Sequence, residues 1–395
     1  MSPAIEIAFF VCAAVVAYAY VGYPILLSIL APFLGRPVLK GDIIPRVSLI
    51  VAAYNEEKDI AAKIENALAL DYPPDRLEVI IASDCSSDRT CDIVREFGDR
   101  VILYQCTERL GKTAAQNRAA SIATGQIIVF SDATTVYDRA SIRKLVRSFA
   151  DTTVGCVAGR LVYVNDASSS VGAGCVSYWT YENILKNNES RLSSLIGVSG
   201  CMYAVRRSSY MQLGHRLSSD FVIAAEIKLL SLRTVHEPEA ICYEQTNRLT
   251  NNEFRMRVRV IEQTFTALAF YRQLLNPFQY GLFSIQMISH KPIRYAVPWF
   301  LSAMLGLNIA LAGASGFFSL ALALQGGFYV SALTGLGLIR LGVSRNLLSL
   351  PAYFLLTNAA AVVGLIKYLR GESYVVWEPV REGKKHDAAY SGSTQ

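Results

Sequence analysis

Hydrophobic and polar positions divide this chain into three regimes. Ile5–Leu34 is almost wholly apolar, with Glu6 its only charge. From Arg46 to about Tyr243, short apolar runs alternate with stretches of helical period. Three long apolar segments then close the chain: Ile293–Gly313, Phe317–Leu338 and Leu347–Leu369. A bilayer takes about 20 apolar residues in helical form, so each of these, like the first segment, is long enough to cross one. Ile5–Leu34 is too long for a signal core and has no basic residues before it, so it reads as a membrane helix.

In the middle regime the apolar runs predict strands at Val47–Ala53, Leu77–Ala82, Val101–Tyr104 and Ile127–Phe130. Between and after them, period predicts helices at Ile60–Leu70, Asp88–Phe97, Lys112–Ala123 and Ser141–Phe149. Strand–helix alternation implies a mostly parallel sheet with helices on both faces, an α/β class. A second half with less regular spacing begins at Val154–Val164. It holds a strand around Gly200–Arg206 and a helix over Phe221–Leu232 capped by Ser219 or Asp220. Asn252–Tyr271 is an arginine-rich helix, and Leu275–Lys291 suits a helix lying at a membrane interface. The domains expected are a membrane helix over 1–35, a catalytic domain over 36–250, interfacial helices over 251–292, membrane helices over 293–370 and a polar tail over 371–395, disordered after Gly383.

Composition supports the membrane reading. The 395 residues are 52% hydrophobic and 18% charged, whereas soluble domains run near a quarter charged. The net charge of +6 is spread among acids with no basic, aromatic-interleaved stripe, which argues against nucleic acid. Eight cysteines show no zinc or redox spacing and read as reduced core residues.

The strand ends carry the candidate chemistry. In open α/β sheets, ligands bind at the carboxyl edge. The first strand ends in Tyr54-Asn55-Glu56, the second in Ser83-Asp84, the fourth in Ser131-Asp132. Turns and helix caps account for one such acid, but three at one edge favour a nucleotide pocket. Asp132 suits a divalent cation holding a diphosphate, because hard cations take oxygen ligands. Arg109-Leu110-Gly111-Lys112 opens a helix and suits a phosphate or base contact, although it is not a Walker loop.

The ordered set Val51-Ala52-Ala53-Tyr54-Asn55-Glu56, Ser83 to Asp88, Gly111-Lys112, Asp132-Ala133-Thr134 and Asp220 resembles a family-2 glycosyltransferase of the GT-A fold. The flanking spans make it similar to the membrane branch with hyaluronan, chitin-oligosaccharide and cellulose synthases. The resemblance implies that Tyr54 and Glu56 touch uridine and ribose, that Asp84 bonds the uracil ring and that Lys112 lies near the nucleotide. It implies Asp132 as ligand of a Mg or Mn ion on the diphosphate, Asp220 as general base and Arg259 as a diphosphate and acceptor contact. Thr134, Cys85, Met256 and Val260 depart from the family's pattern, which has an acid, a glycine, a glutamine and a tryptophan there.

The expected function is therefore inverting transfer of a sugar from a UDP-sugar to a growing polysaccharide or glycan at the cytoplasmic face of an inner membrane. The alternatives are a transferase acting on a polyprenyl-phosphate-linked acceptor and an inactive sugar-nucleotide-binding scaffold. Membrane lipids are expected partners, and the pattern carries no signal for an oligomer. Arg36, Lys40 and Arg46 after the first span place the following domain in the cytoplasm. Lys367, Arg370, Arg381, Lys384 and Lys385 after the last span favour the same side. Four plain spans put the two ends of the chain together, so Leu347–Leu369 is expected to be irregular at Pro351 and Asn358.

Overall fold

The computed structural model of the chain describes residues 3–164, 170–214, 217–246, 250–341, 343 and 346–372. Eight strands form one sheet: β1 (Val47–Ala53), β2 (Leu77–Ser83), β3 (Ile102–Gln105), β4 (Ile127–Asp132), β5 (Val136–Tyr137), β6 (Val154–Val164), β7 (Met202–Arg206) and β8 (Arg233–Gln245). Their order is β3-β2-β1-β4-β7-β6-β8-β5. The half made of β1 to β4 is parallel, as the alternation predicts. The other half is mixed: β7 runs antiparallel to β4 and β6, while β8 runs parallel to β6.

The helices are α1 (Pro3–Ala17), α2 (Tyr23–Leu34), α3 (Ile60–Leu68), α4 (Thr90–Glu96), α5 (Lys112–Ile122), α6 (Ser141–Arg147) and α7 (Ser170–Leu192). They continue with α8 (Ser219–Leu229), α9 (Thr250–Phe270), α10 (Pro277–Tyr280), α11 (Leu282–Ile288), α12 (Arg294–Leu311), α13 (Gly316–Arg340) and α14 (Asn346–Leu369). Side-chain alternation along the strands feeds two cores. Leu49, Val51, Ile81 and Val129 pack on one face of the sheet, and Ile50, Ile80, Ile128 and Phe130 on the other. Burial on both faces is why these strands read as unbroken apolar runs.

Among the described residues, four helical stretches are long and apolar enough to cross a membrane: Pro3–Leu34, Leu282–Leu311, Gly316–Ile339 and Leu347–Leu369. The first joins α1 to α2 through a π turn at Tyr18–Gly22. The second joins α11 to α12 through a π turn at Ser289–Ile293, which contains Pro292. The segment read as interfacial thus splits. α9 packs on α14 through Val258, Ile261, Ala360 and Ala361, whereas α11 opens a span candidate.

The expected irregularity in Leu347–Leu369 is corrected: α14 is one continuous helix. Pro351 lies in its second turn, and the Asn358 amide is satisfied inside the helix. That amide donates to Phe354 O at 2.9 Å and Tyr20 Oη at 3.4 Å. The tail residues Arg381, Lys384 and Lys385 lie outside the described residues. Sequence period also missed α7, whose 23 residues carry Ser, Asn, Glu and Lys among aromatics with no single apolar face. All eight cysteines are free.

Candidate active site

Register sets the site. Ala52 lies opposite Ala82 in β2 and opposite Asp132 in β4, and Ala53 lies opposite Ser83. The three strands therefore end at one level and deliver Tyr54, Glu56, Asp84 and Asp132 to the same edge. The turns there are tight: Asn55 has φ 51° and Cys85 φ 62°. The left-handed backbone at Cys85 gives a physical reason for the family's glycine there.

Tyr54 lies under the Arg109 guanidinium, 3.7 Å from carbon to ring centroid. Cations over tyrosine faces attract through the ring quadrupole. The Glu56 side chain is buried, and its amide donates to Thr90 Oγ1 at 2.7 Å. Asp84 is 3% exposed and accepts the Leu110 and Gly111 amides at 3.1 and 2.9 Å, one on each oxygen. It thus ties down the loop that carries Arg109. Gly111 has φ 91°, a conformation that a side chain would strain, and it hands directly into α5.

Lys112, the first residue of α5, forms an ion pair with Asp132 and donates to Gly200 O at 3.3 Å. Burial pulls its ammonium down, but the carboxylates of Asp132 and Asp220 outweigh this, and its pKa ends above the ordinary lysine value. Asp220 lies in the first turn of α8, where the helix dipole favours a carboxylate. The cap expectation is corrected: Ser218 precedes the helix without a side-chain cap bond, and the Ser218 hydroxyl bonds Asp220 Oδ1. Gly200 measures how close the parts are. A Cβ built there would lie 3.2 Å from Lys112 Nζ and 3.7 Å from Asp220 Oδ2. Lys112 and Asp220 thus crowd one point, with Asp132 held to the same ammonium.

A cavity of about 790 Å³, within the range of ligand pockets, adjoins this edge. Glu56, Lys112, Asp132, Thr134, Asp220 and Arg259 all line it. Tyr54 and Asp84 stand behind this rim, outside the lining. The donor set at the rim suits a hard cation: the Asp132 carboxylate lies at the strand end, and Thr134 two residues on faces the same cavity. Among the described residues no group of three or more His, Cys, Asp or Glu gathers as a metal cluster. A cation here would need oxygens from the donor diphosphate.

The inner end of the cavity was not legible from motifs. One face of α7 lines it with Trp179, Glu182, Lys186 and Glu189. Glu182 pairs with Arg294 and meets His290 Nε2 at 3.1 Å. Glu189 meets His290 Nδ1 at 2.7 Å and accepts the Tyr23 hydroxyl at 2.6 Å. The π turn at Ser289–Ile293 carries His290, and the π turn at Tyr18–Gly22 carries Tyr20 to the same cavity. Single π turns often mark functional sites. Lys186 is 8% exposed and donates to Ser199 Oγ at 2.7 Å; burial lowers its pKa despite the nearby Glu182. A polar stripe at helical spacing was the only available signal, and the surrounding Ser and Asn residues blurred it.

Residues 48–214 match the model of Glycosyl transferase family 2. The "Probable glycosyltransferase YdaM" of Bacillus subtilis (strain 168) is 28% identical over 228 residues, 55% of this chain and 54% of that protein. The poly-beta-1,6-N-acetyl-D-glucosamine synthase of Staphylococcus aureus (strain COL) is 23% identical over 231 residues, 57% of this chain and 56% of that protein. The chain spans about half the length of the curated relatives it matches. Among solved structures, a mannosyltransferase from Pyrobaculum calidifontis, bound to GDP-Man and Mn2+, superposes with a TM-score of 0.70 at 24% identity. That match covers 92% of this chain and 99% of the mannosyltransferase, and it shows a shared fold of the GT-A type.

Proposed function

We propose that the chain, whose residues 48–214 match the model of Glycosyl transferase family 2, transfers a sugar, with inversion, from a UDP-sugar to a glycan acceptor at the cytoplasmic face of an inner membrane. The observation that carries this reading is the convergence of Asp132, Lys112 and Asp220 around Gly200, at the mouth of a cavity that continues down to the span candidates. The basic residues Arg36, Lys40 and Arg46 after the first span favour a cytoplasmic domain.

Each residue takes a role that its surroundings suit. The Tyr54 ring with Arg109 above it offers a stacking face for the base. Asp84 keeps the loop in place to do so. Asp220 has one oxygen held by Ser218 and the Phe221 amide, and its other oxygen stays toward Gly200. That oxygen takes the proton of the attacking hydroxyl. The acceptor oxygen forms its bond to the anomeric carbon as the bond to the diphosphate breaks, and the nucleoside diphosphate leaves with that electron pair. Lys112 and Arg259 carry positive charge toward the departing phosphates. Asp132 is the residue that would hold a Mg or Mn ion, which when bound neutralises charge building on the diphosphate.

The acceptor is a glycan or a lipid-linked sugar, because the cavity is walled on its inner side by α14 through Leu350, Tyr353 and Phe354. The test is UDP release by the purified chain over a panel of UDP-sugars with magnesium or manganese. Release from at least one donor is expected. No release from any donor, with the nucleotide still bound, would favour the scaffold alternative.

A further inference from the structure

The α7 face at the inner end of the cavity carries polar atoms that the fold itself leaves unused. The indole Nε1 of Trp179 is buried and has no hydrogen-bond partner among the described residues. Glu189 is 0% exposed; its Oε1 serves Tyr23 and His290, while its Oε2 has no partner among the described residues. Lys186 has three N–H donors, one acceptor in Ser199 Oγ and the Trp179 face at 4.9 Å, with no carboxylate paired to it among the described residues. Buried polar groups left this way are costly unless a ligand or water completes them. All three residues line the cavity.

The chemistry of the set selects its occupant. Two donors and one carboxylate acceptor suit a ligand whose groups both donate and accept, which is what sugar hydroxyls do. A bare phosphate only accepts, and beside Glu189 Oε2 it would meet like charge. The neighbouring rings suit the same ligand. Trp179 packs on Tyr163 at 5.5 Å and on Tyr178 at 6.3 Å, and Tyr178 packs on Tyr353 at 5.8 Å, giving apolar faces for a pyranose ring. Position completes the case: Ser199, held by Lys186, precedes the Gly200 around which Lys112 and Asp220 converge.

We infer that Trp179, Lys186 and Glu189 form a saccharide subsite that seats the acceptor's terminal sugar ring beside Asp220, so that the acceptor is a sugar and not a bare lipid phosphate. The inference rests on the transferase reading. In the step it serves, the seated ring's hydroxyl oxygen bonds the donor's anomeric carbon, its proton passes to Asp220, and the nucleoside diphosphate departs.

The test uses the full chain in detergent with cellotriose, chitotriose and citronellyl phosphate as probes. A trisaccharide should accelerate nucleotide release, and citronellyl phosphate should not. Trp179→Ala should raise the trisaccharide KM by about tenfold while moving the donor KM less than about twofold, and Trp179→Phe should restore part of the loss. Acceleration by the phosphate alone, or an unchanged trisaccharide KM in Trp179→Ala, overturns the subsite. Should the wild type release no nucleotide, it is the transferase reading that fails. The subsite is then judged by tryptophan fluorescence on trisaccharide titration, where a wild-type change absent from Trp179→Phe supports it and no change overturns it.

Discussion

Lys112 is the residue through which the two sides of the proposed reaction centre are linked. Its ammonium pairs with Asp132 on the donor side and bonds Gly200 O beside the general-base candidate Asp220. This arrangement makes Asp132 the key carboxylate of the rim, with Thr134 a neutral neighbour. A magnesium ion can be held by one or two carboxylates plus substrate phosphates. Asp132→Ala should therefore abolish transfer, and Thr134→Ala should cost far less, within about tenfold. Transfer rate against magnesium or manganese concentration measures this. Full activity of the wild type in excess chelator would remove the cation from the mechanism. At this scale the sequence was legible where chain geometry is rigid. Strand ends delivered Glu56, Asp84 and Asp132 to one edge, as the alternation implied. It could not show that Asp84 also accepts loop amides that lie 26 and 27 residues away in sequence.

Among the elements, α7 links the span candidates to the catalytic sheet. Its Glu182 and Glu189 hold His290 between them, and Glu182 also holds Arg294 at the start of α12. Breaking a buried ion pair by removing one partner leaves the other charge uncompensated. Glu182→Gln should then lower stability by about 3–5 kcal/mol. Glu239→Gln, half exposed beside Lys144 and Arg147, should cost under about 1 kcal/mol. Unfolding midpoints of the two variants in detergent provide the comparison, and equal shifts would show that the α7 network is not a structural tie. Sequence reading could not see this tie because its members lie more than 100 residues apart, and because α7 lacks an apolar stripe to announce it. The continuous α14 was misread for the opposite reason. Pro351 and Asn358 look like interruptions until their neighbours in the helix are known.

The whole molecule is an α/β domain set on helices whose outward faces are apolar, such as Phe33, Leu324 and Leu347. The parallel half of its sheet was readable from period, while the mixed half needed pairings of β7 and β8 that no local pattern encodes. One buried group makes the stability of this assembly depend on pH. His236 in β8 is buried with both ring nitrogens lacking partners among the described residues, and burial, reinforced by Lys186, Arg160 and Lys40, pushes its pKa down to about 3. Unfolded, it would titrate near 6.5. Between those values the unfolded chain binds more protons. Its contribution to stability is therefore present above pH 6.5 and lost as pH falls toward 3. The slope approaches ~1.4 kcal/mol per pH unit. The stability difference between wild type and His236→Gln should shrink in the wild type's disfavour as pH falls from 7 to 5. A difference constant across that range would mean that the His236 pKa is not lowered in the fold.

The central claim is that Asp220 removes the acceptor's proton in sugar transfer from a nucleotide donor. The direct measurement compares wild type and Asp220→Asn for glycosyl transfer and for nucleotide binding in the same preparation. The amide is nearly isosteric but cannot take the proton. The account predicts that Asp220→Asn binds the nucleotide as the wild type does while transfer falls by at least about 100-fold. Transfer near the wild-type rate in that variant would contradict the account.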